Sequence, residues 1–176
     1  WDDINVIFID SRFRGNDKTF MKKHIYLDYA ATSPVDPQVI KTMLPYWTKN
    51  PGNPSSIHWY GQEAKKAINK SRKVVADFLN CFPEEVIFTS CATEANNFTI
   101  KGAIEAWKQK NPGKIPHLIV SSIEHHCVLD SAKHLEKMGV EVSWLKVDQY
   151  GLVDPKKIEK LINKNTVLVS VMYGNN

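Results

Sequence analysis

The sequence is poor in cysteine: its 176 residues include three, and no two of them have Cys-x-x-Cys spacing. So few thiols, odd in number, argue against a disulfide framework or a zinc site and are typical of a reducing cytoplasm. No apolar run approaches the roughly 18 residues that a membrane-crossing helix needs. The lysines are scattered and form no basic block with aromatic residues between them. We therefore predict a cytoplasmic protein with no metal, no membrane and no nucleic acid partner.

The rest of the composition is that of a globular protein, with 43% hydrophobic and 24% charged residues. Its length allows one domain, or one domain and part of another. Residues 1–20 differ from the remainder because they are polar, turn-like and without apolar periodicity. They also lack a signal-peptide layout, since Asp2 and Asp3 stand where positive charge is expected, and Met21 follows the segment. We predict that residues 1–20 are a non-native or disordered N-terminal extension.

Two helices are predicted before residue 80, separated by a loop. Asp36 and Pro37 are typical of a helix start, and that helix should run to about residue 50. Residues 51–56 (PGNPSS) are the strongest loop signal in the chain. A long amphipathic helix should follow at about residues 58–79. The side chains predicted to face inward are Val39, Ile40, Met43, Leu44, Ala64, Ala67, Ile68, Val74, Val75 and Phe78.

From residue 85 onward, β-rich and helical segments alternate. Strands are predicted at residues 85–89, 117–122, 141–147 and 166–172. Helices are predicted at residues 93–109, 128–138 and 155–162, the last with Asp154 as its N-cap. Such alternation indicates βαβ units and a mostly parallel sheet covered on both faces, so the fold class is α/β.

The turn after the first predicted strand is a candidate anion site. A helix that begins directly after a strand presents unpaired N–H groups and the positive end of its dipole. Ser90, the Ala92 N–H and Thr93 would offer two hydroxyls and an amide to a phosphate there. The alternative is that Ser90 or Thr93 simply caps the helix, as such residues commonly do.

Polar residues also follow two later predicted strands. Glu124, His125 and His126 come after the second strand, and Asn175 and Asn176 come after the last. The carboxyl ends of parallel strands lie at one edge of a sheet, so these groups should converge with the anion site. Taken singly, the histidine fits a surface residue and the asparagine pair fits a turn.

Five motifs in this order resemble those of cysteine desulfurases, pyridoxal-phosphate enzymes of the class V aminotransferase superfamily. They are residues 25–32 (IYLDYAAT), 52–58 (GNPSSIH), 88–94 (FTSCATE), Glu124 with His125, and 171–176 (VMYGNN). The resemblance covers the chain from about residue 23 to residue 176. It implies the fold type I of aspartate aminotransferase-like enzymes, with a helical N-terminal segment at residues 21–60 and a truncated large, cofactor-binding domain at residues 61–176.

The resemblance also implies roles for particular residues. Ala92 and Thr93 would hold the phosphate of pyridoxal 5'-phosphate, His125 would stack on its ring and move protons at the substrate thiol, and Asn176 would contact its phenolic oxygen. The family converts L-cysteine to L-alanine, leaving sulfur as a persulfide for iron–sulfur cluster assembly. The implied partners are L-cysteine, a scaffold or other sulfur acceptor, and a second subunit of a homodimer.

Some positions depart from the family. Cys91 replaces the usual glycine and Ala95 the usual serine, and the sequence has no match for the Schiff-base lysine or the persulfide cysteine. Autonomous catalysis by these residues is therefore not expected. The alternatives are a half-enzyme or interaction module that pairs with a separate C-terminal half, a selenocysteine lyase, and an unrelated hydrolase built on His125, His126 and Cys127.

Overall fold

The computed structural model describes residues 25–175. The predicted extension at residues 1–20 and the predicted cofactor contact Asn176 lie outside the described residues. The described part divides into two compact units, residues 25–86 and residues 87–175. The predicted domain boundary after residue 60 stays a prediction about the complete protein.

The first unit contains two α-helices and one turn of 3-10 helix. Helix α1 is Pro37–Thr48, helix α2 is Trp59–Leu79 and the 3-10 turn is Pro83–Glu85. Asp36 caps α1 as predicted, because its carboxylate accepts a hydrogen bond from the Gln38 N–H at 2.7 Å. His58 caps α2, and Asn80 ends it in a left-handed conformation with φ 54°.

The predicted inward faces of α1 and α2 are largely exposed. Val39, Ile40 and Leu44 of α1 are each 46–48% exposed, and Phe78 of α2 is 88% exposed. Within α2 the buried positions are small ones, Gly61, Ala64 and Ala76. The helical period was therefore right. The expectation of inward packing is confirmed for Ala64 and wrong for the large side chains of α1 and for Phe78, which are exposed in the described part of the chain.

The second unit is built on a parallel sheet, as predicted. Strands β1, β2 and β3 are His117–Ser121, Glu141–Leu145 and Thr166–Ser170, in the spatial order β2-β1-β3. Helices α3, α4 and α5 are Ala92–Lys110, His126–Lys137 and Pro155–Leu161. Asp154 caps α5 through the Lys156 N–H at 3.0 Å, again as predicted. Among the described residues, no helix combines the length and apolar character of a membrane span.

The core of this unit lies between the sheet and helices α3 and α4. Strand β1 is central in the sheet and all five of its residues are buried. The buried apolar side chains of this cluster are Ile100, Ile104, Leu118, Val120, Val128, Ala132, Leu135 and Val140. This packing brings the N-terminal ends of α3 and α4 to the same region.

The predicted strand at residues 85–89 is wrong. Pro83 begins a 3-10 turn there, and the Glu85 carboxylate accepts the Phe82 N–H at 2.7 Å. Residues 86–89 belong to no strand, because none of β1–β3 pairs with them in the part of the chain that the structure describes. A β-rich composition produces a strand only where a neighbouring strand supplies the ladder.

Candidate active site

Helix α3 begins without a side-chain cap. Its N-cap is Cys91, which makes no capping hydrogen bond, and Ala92 and Thr93 are the first two helical residues. The alternative in which Ser90 or Thr93 caps this helix is therefore wrong. Cys91 has φ −164° and ψ 168°, an extended backbone that any residue adopts. Cysteine consequently causes no backbone strain where the family usually has glycine.

Ser90 is committed to Glu94 and not to an anion. The Glu94 carboxylate accepts hydrogen bonds from the Ser90 N–H at 2.6 Å and from the Ser90 hydroxyl at 2.7 Å. These bonds, the one from the hydroxyl foremost, lower the pKa of Glu94. The predicted trio of anion-binding groups is thereby reduced to the Ala92 N–H and Thr93.

The Cys91 thiol is exposed and its environment favours the thiolate. The backbone N–H of Glu94, the Ser90 hydroxyl and, to a smaller extent, the backbone N–H of Thr93 lower the pKa of Cys91. The first-turn N–H groups of α3 thus stabilise negative charge at this helix end.

His125 is the N-cap of α4. Its ring Nδ1 accepts a hydrogen bond from the Cys127 N–H at 3.1 Å. A neutral ring whose Nδ1 accepts must carry its proton on Nε2, so the cap determines the tautomer. The His126 ring lies 6.3 Å from the His125 ring, edge to face, and this contact holds the two imidazoles side by side.

Thr93 and His125 line the same open cleft, which has a volume of about 360 Å³. Helix α3 and the α4 region form its walls, which are Thr93, Asn97, Lys101, His125, His126, Cys127, Asp130, Ser131 and His134. Two of the four predicted site residues are therefore brought together. Ala92 is exposed immediately before Thr93, and Asn176 lies outside the described residues.

Glu124 has a positioning role that the sequence did not reveal. It is 7% exposed, and its Oε1 accepts hydrogen bonds from the Ser121 hydroxyl at 2.9 Å and from the Met172 N–H. The Asn175 amide in turn donates to the Ile123 carbonyl at 2.7 Å. The segment after β3 is thus tied to the turn that carries His125. An acidic residue directly before the histidine was the available signal.

The hydrolase alternative finds no support in the geometry. The Cys127 thiol accepts a hydrogen bond from the Asn96 amide at 3.2 Å, and its contact with His125 is made by the backbone. A nucleophilic dyad needs a hydrogen bond between thiol and imidazole. Across residues 25–175, no group of three or more His, Cys, Asp or Glu side chains is arranged to hold a metal ion.

An α/β unit with a parallel sheet and a polar cleft at two helix N-termini agrees with the family that the motifs indicate. The family model described as aminotransferase class-V matches residues 25–176, most of the chain. The chain therefore belongs to the aminotransferase class-V family.

The chain is similar in sequence to proteins named as cysteine desulfurases, and it is similar in fold to several solved structures. The chain is 48% identical to the mitosomal cysteine desulfurase of Trachipleistophora hominis, over 86% of this chain and 34% of that protein. It matches a NifS-like protein with a TM-score of 0.76 and 37% identity, over 82% of this chain and 39% of that one. It matches a structure described as SspA in complex with cysteine with a TM-score of 0.74 and 39% identity, over 82% and 40%. The chain thus spans between one third and two fifths of the length of these proteins.

Proposed function

We propose that this chain is the N-terminal part of a pyridoxal-phosphate-dependent cysteine desulfurase. The complete enzyme would convert L-cysteine to L-alanine and carry the sulfur as a persulfide for iron–sulfur cluster assembly. The observation that carries the proposal is that Thr93, at the start of α3, and His125, at the start of α4, line one cleft. A phosphate and an aromatic ring that belong to one small cofactor require this proximity.

The residues at the start of α3 fit a phosphate. Helix α3 has 19 residues, and its N-cap Cys91 makes no side-chain capping hydrogen bond. Within residues 25–175, the Thr93 hydroxyl has no hydrogen-bond partner, so it is available to an anion. Glu94 is the acidic residue of the first turn, and its bonds to Ser90 hold the carboxylate toward the residues before the helix. Such a helix end is a ready anion site.

His125 would act on protons at the substrate. When bound, pyridoxal phosphate supplies an electron sink for the substrate's α-carbon. Because Nδ1 of His125 is occupied by the Cys127 N–H, Nε2 is the ring atom that can donate or exchange a proton with the thiol of cysteine. We assign Asn176 to the phenolic oxygen of the cofactor, the contact that the family resemblance implies.

The proposed site is one half of a catalytic centre. This sequence contains no Schiff-base lysine context and no persulfide-loop cysteine of the family pattern. We propose that catalysis requires these groups from the remainder of a homodimeric enzyme that delivers sulfur to a scaffold protein or another acceptor. The names of the relatives favour cysteine over selenocysteine as substrate.

A cytoplasmic location remains our proposal. Cys81, Cys91 and Cys127 are all free, which supports a reducing compartment. The relatives do not share one compartment, because one is named as mitosomal and another as mitochondrial.

A titration of the purified chain with pyridoxal phosphate tests the phosphate site. Replacing Thr93 by Ala should weaken binding by about 1 to 3 kcal/mol, because a charge-assisted hydrogen bond is lost. Thr99→Ala is the matched control, since Thr99 is an exposed threonine of the same helix. Absorbance and fluorescence measure the affinity, and borohydride reduction with mass analysis shows whether a lysine is labelled. Equal affinities of the two variants would remove Thr93 from the cofactor site.

The half-enzyme alternative is favoured by one observation. Apolar side chains of α1 and α2 are exposed, including Trp47 at 68% and Phe78 at 88%. Exposed apolar surface of this kind is typical of contact with another polypeptide. Coexpression with a separate chain that carries the Schiff-base lysine and the persulfide cysteine should then restore desulfuration. Activity of this chain alone would contradict this alternative.

A further inference from the structure

Four polar contacts connect Thr93 to His125, two of them made by the single hydroxyl proton of Ser131 shared between two acceptors. The Asn97 amide donates to the Thr93 carbonyl at 2.9 Å, one turn earlier in α3. The Ser131 hydroxyl lies 3.1 Å from Asn97 Oδ1 and 2.7 Å from the Cys127 carbonyl. The Cys127 N–H completes the path to Nδ1 of His125 at 3.1 Å. The path thus joins the backbone of the proposed phosphate-binding residue to the imidazole ring.

The middle of this path is shielded from solvent and held by polar contacts. Ser131 is 5% exposed and Asn97 is half-buried. Both ends of the Asn97 amide have a polar contact, since Nδ2 donates to the Thr93 carbonyl and Oδ1 lies 3.1 Å from the Ser131 hydroxyl, whose proton it shares with the Cys127 carbonyl. Turning the amide over would place Oδ1 against the Thr93 carbonyl, which cannot donate, so that hydrogen bond would be lost. A partly buried polar network in which each member has a partner specifies one arrangement of its elements.

Apolar packing alone does not determine how α3 and α4 are aligned at their N-termini. The buried apolar side chains of the two helices, which include Ile104 and Ala132, belong to one core cluster, and their packing is non-directional. The bonds from the Ser131 hydroxyl to Asn97 Oδ1, and from the Asn96 amide to the Cys127 thiol at 3.2 Å, are directional and lie near the cleft. They restrict sliding of one helix along the other.

We infer that Asn97 and Ser131 are positioning residues that hold the His125 ring at a defined place and tautomer relative to the anion site of α3. The inference rests on the proposed function, because the placement of His125 matters for catalysis only if the cleft binds the cofactor. The hydrogen-bond path itself is independent of any cofactor. Its effect on His125 can therefore be measured in the absence of ligand.

The first measurement is nuclear magnetic resonance of the ring nitrogens in the full 176-residue chain labelled at histidine. Wild-type His125 should show the Nε2–H tautomer, with Nδ1 as acceptor. In Asn97→Ala and in Ser131→Ala, its nitrogen shifts should move toward the averaged values of a ring free to exchange tautomers. Ser131→Thr keeps the hydroxyl and should restore the wild-type shifts.

The matched control is Asn111→Ala. Asn111 also donates from Nδ2 to the carbonyl four residues earlier, Trp107 O at 3.0 Å, but it lies at the other end of α3. This variant should leave the His125 shifts unchanged. Unchanged His125 shifts in Asn97→Ala and in Ser131→Ala, with melting temperatures showing that both fold, would overturn the inference.

The second measurement is pyridoxal-phosphate affinity in the same variants. Asn97→Ala should bind about five- to tenfold more weakly, the effect expected of one lost hydrogen bond, whereas Asn111→Ala should bind as wild type does. The double variant Asn97→Ala with Ser131→Ala should bind the cofactor no more weakly than Asn97→Ala alone. Both residues belong to the same path, so the second change removes nothing that the first has left intact. If wild type does not bind the cofactor, the proposed phosphate site at the start of α3 is overturned for this chain, while the His125 shifts still decide the inference. If all variants bind equally and the shifts are unchanged, the inference fails and the proposed function stands.

Discussion

The two units of the described chain use apolar residues in opposite ways. In residues 25–86, large side chains with a clear helical period lie exposed, such as Val74 at 62% and Phe78 at 88%. In residues 87–175, residues of the same kind are buried, such as Ile104 at 2% and Leu118 at 0%. The difference shows that periodicity predicts a helix, whereas burial depends on a second element placed against its apolar face.

The largest expected effect that tests this comparison comes from truncating isoleucines. Ile104→Ala should lower the free energy of unfolding by about 2 to 5 kcal/mol, because it removes buried atoms and leaves a cavity in the core. Ile57→Ala, the same change at an exposed position, should alter it by less than about 0.5 kcal/mol. Urea denaturation of the two variants measures both values. Similar losses would mean that Ile57 is covered in solution.

A smaller effect is expected from two glycines, one in each unit. A Cβ at Gly52 would overlap the Tyr60 carbonyl, so Gly52→Ala should cost about 1 to 3 kcal/mol of stability. A Cβ at Gly102, inside α3, would meet nothing within 4 Å. Gly102→Ala should therefore stabilise the chain by about 0.5 to 1 kcal/mol through helix propensity.

Thermal unfolding compares the two alanine variants directly. If Gly52→Ala leaves the melting temperature unchanged, the loop of residues 51–56 is not packed against the start of α2. The first unit would then be loose in its turns as well as in its apolar faces.

The smallest effect concerns the cysteines. The Glu94 N–H, the Ser90 hydroxyl and the Thr93 N–H lower the pKa of Cys91, so its thiolate should form at lower pH than that of an ordinary thiol. Iodoacetamide should therefore modify Cys91 before the half-buried Cys81 of the first unit. The rate at which iodoacetamide modifies Cys91 should rise with pH, and the midpoint of this rise should lie at a lower pH than for a free cysteine peptide. Mass analysis after brief labelling checks the order, and a midpoint equal to that of the peptide would contradict the geometry of the α3 start.

Much of the fold could be predicted from local signals. Asp36 and Asp154 begin the helices that they were expected to begin, and three of the four predicted strands form one parallel sheet. The fourth failed because the residues at 86–89 have the composition of a strand but no neighbouring strand among those described. Composition acts on one segment, whereas a ladder needs two.

The candidate site was predictable only in part. Thr93 and His125 follow from motifs and do line one cleft, while the assignments of Ala92 and Asn176 remain predictions. Ser90 was expected at the anion, and the structure ties it instead to Glu94. From the sequence, the Ser90 hydroxyl could bind either the anion or Glu94, and only the tertiary structure distinguishes the two.

The sequence by itself determined the order of all but one of the predicted helices and strands, the caps Asp36 and Asp154, and the family. These depend on short-range periodicity, turn chemistry and motif spacing. The tertiary structure decided which apolar faces are buried and which polar groups meet. Asn97 and Ser131 lie 34 residues apart in sequence and 3.1 Å apart in space. No local pattern encodes such a pair, because it exists only after α3 and α4 have packed on the sheet.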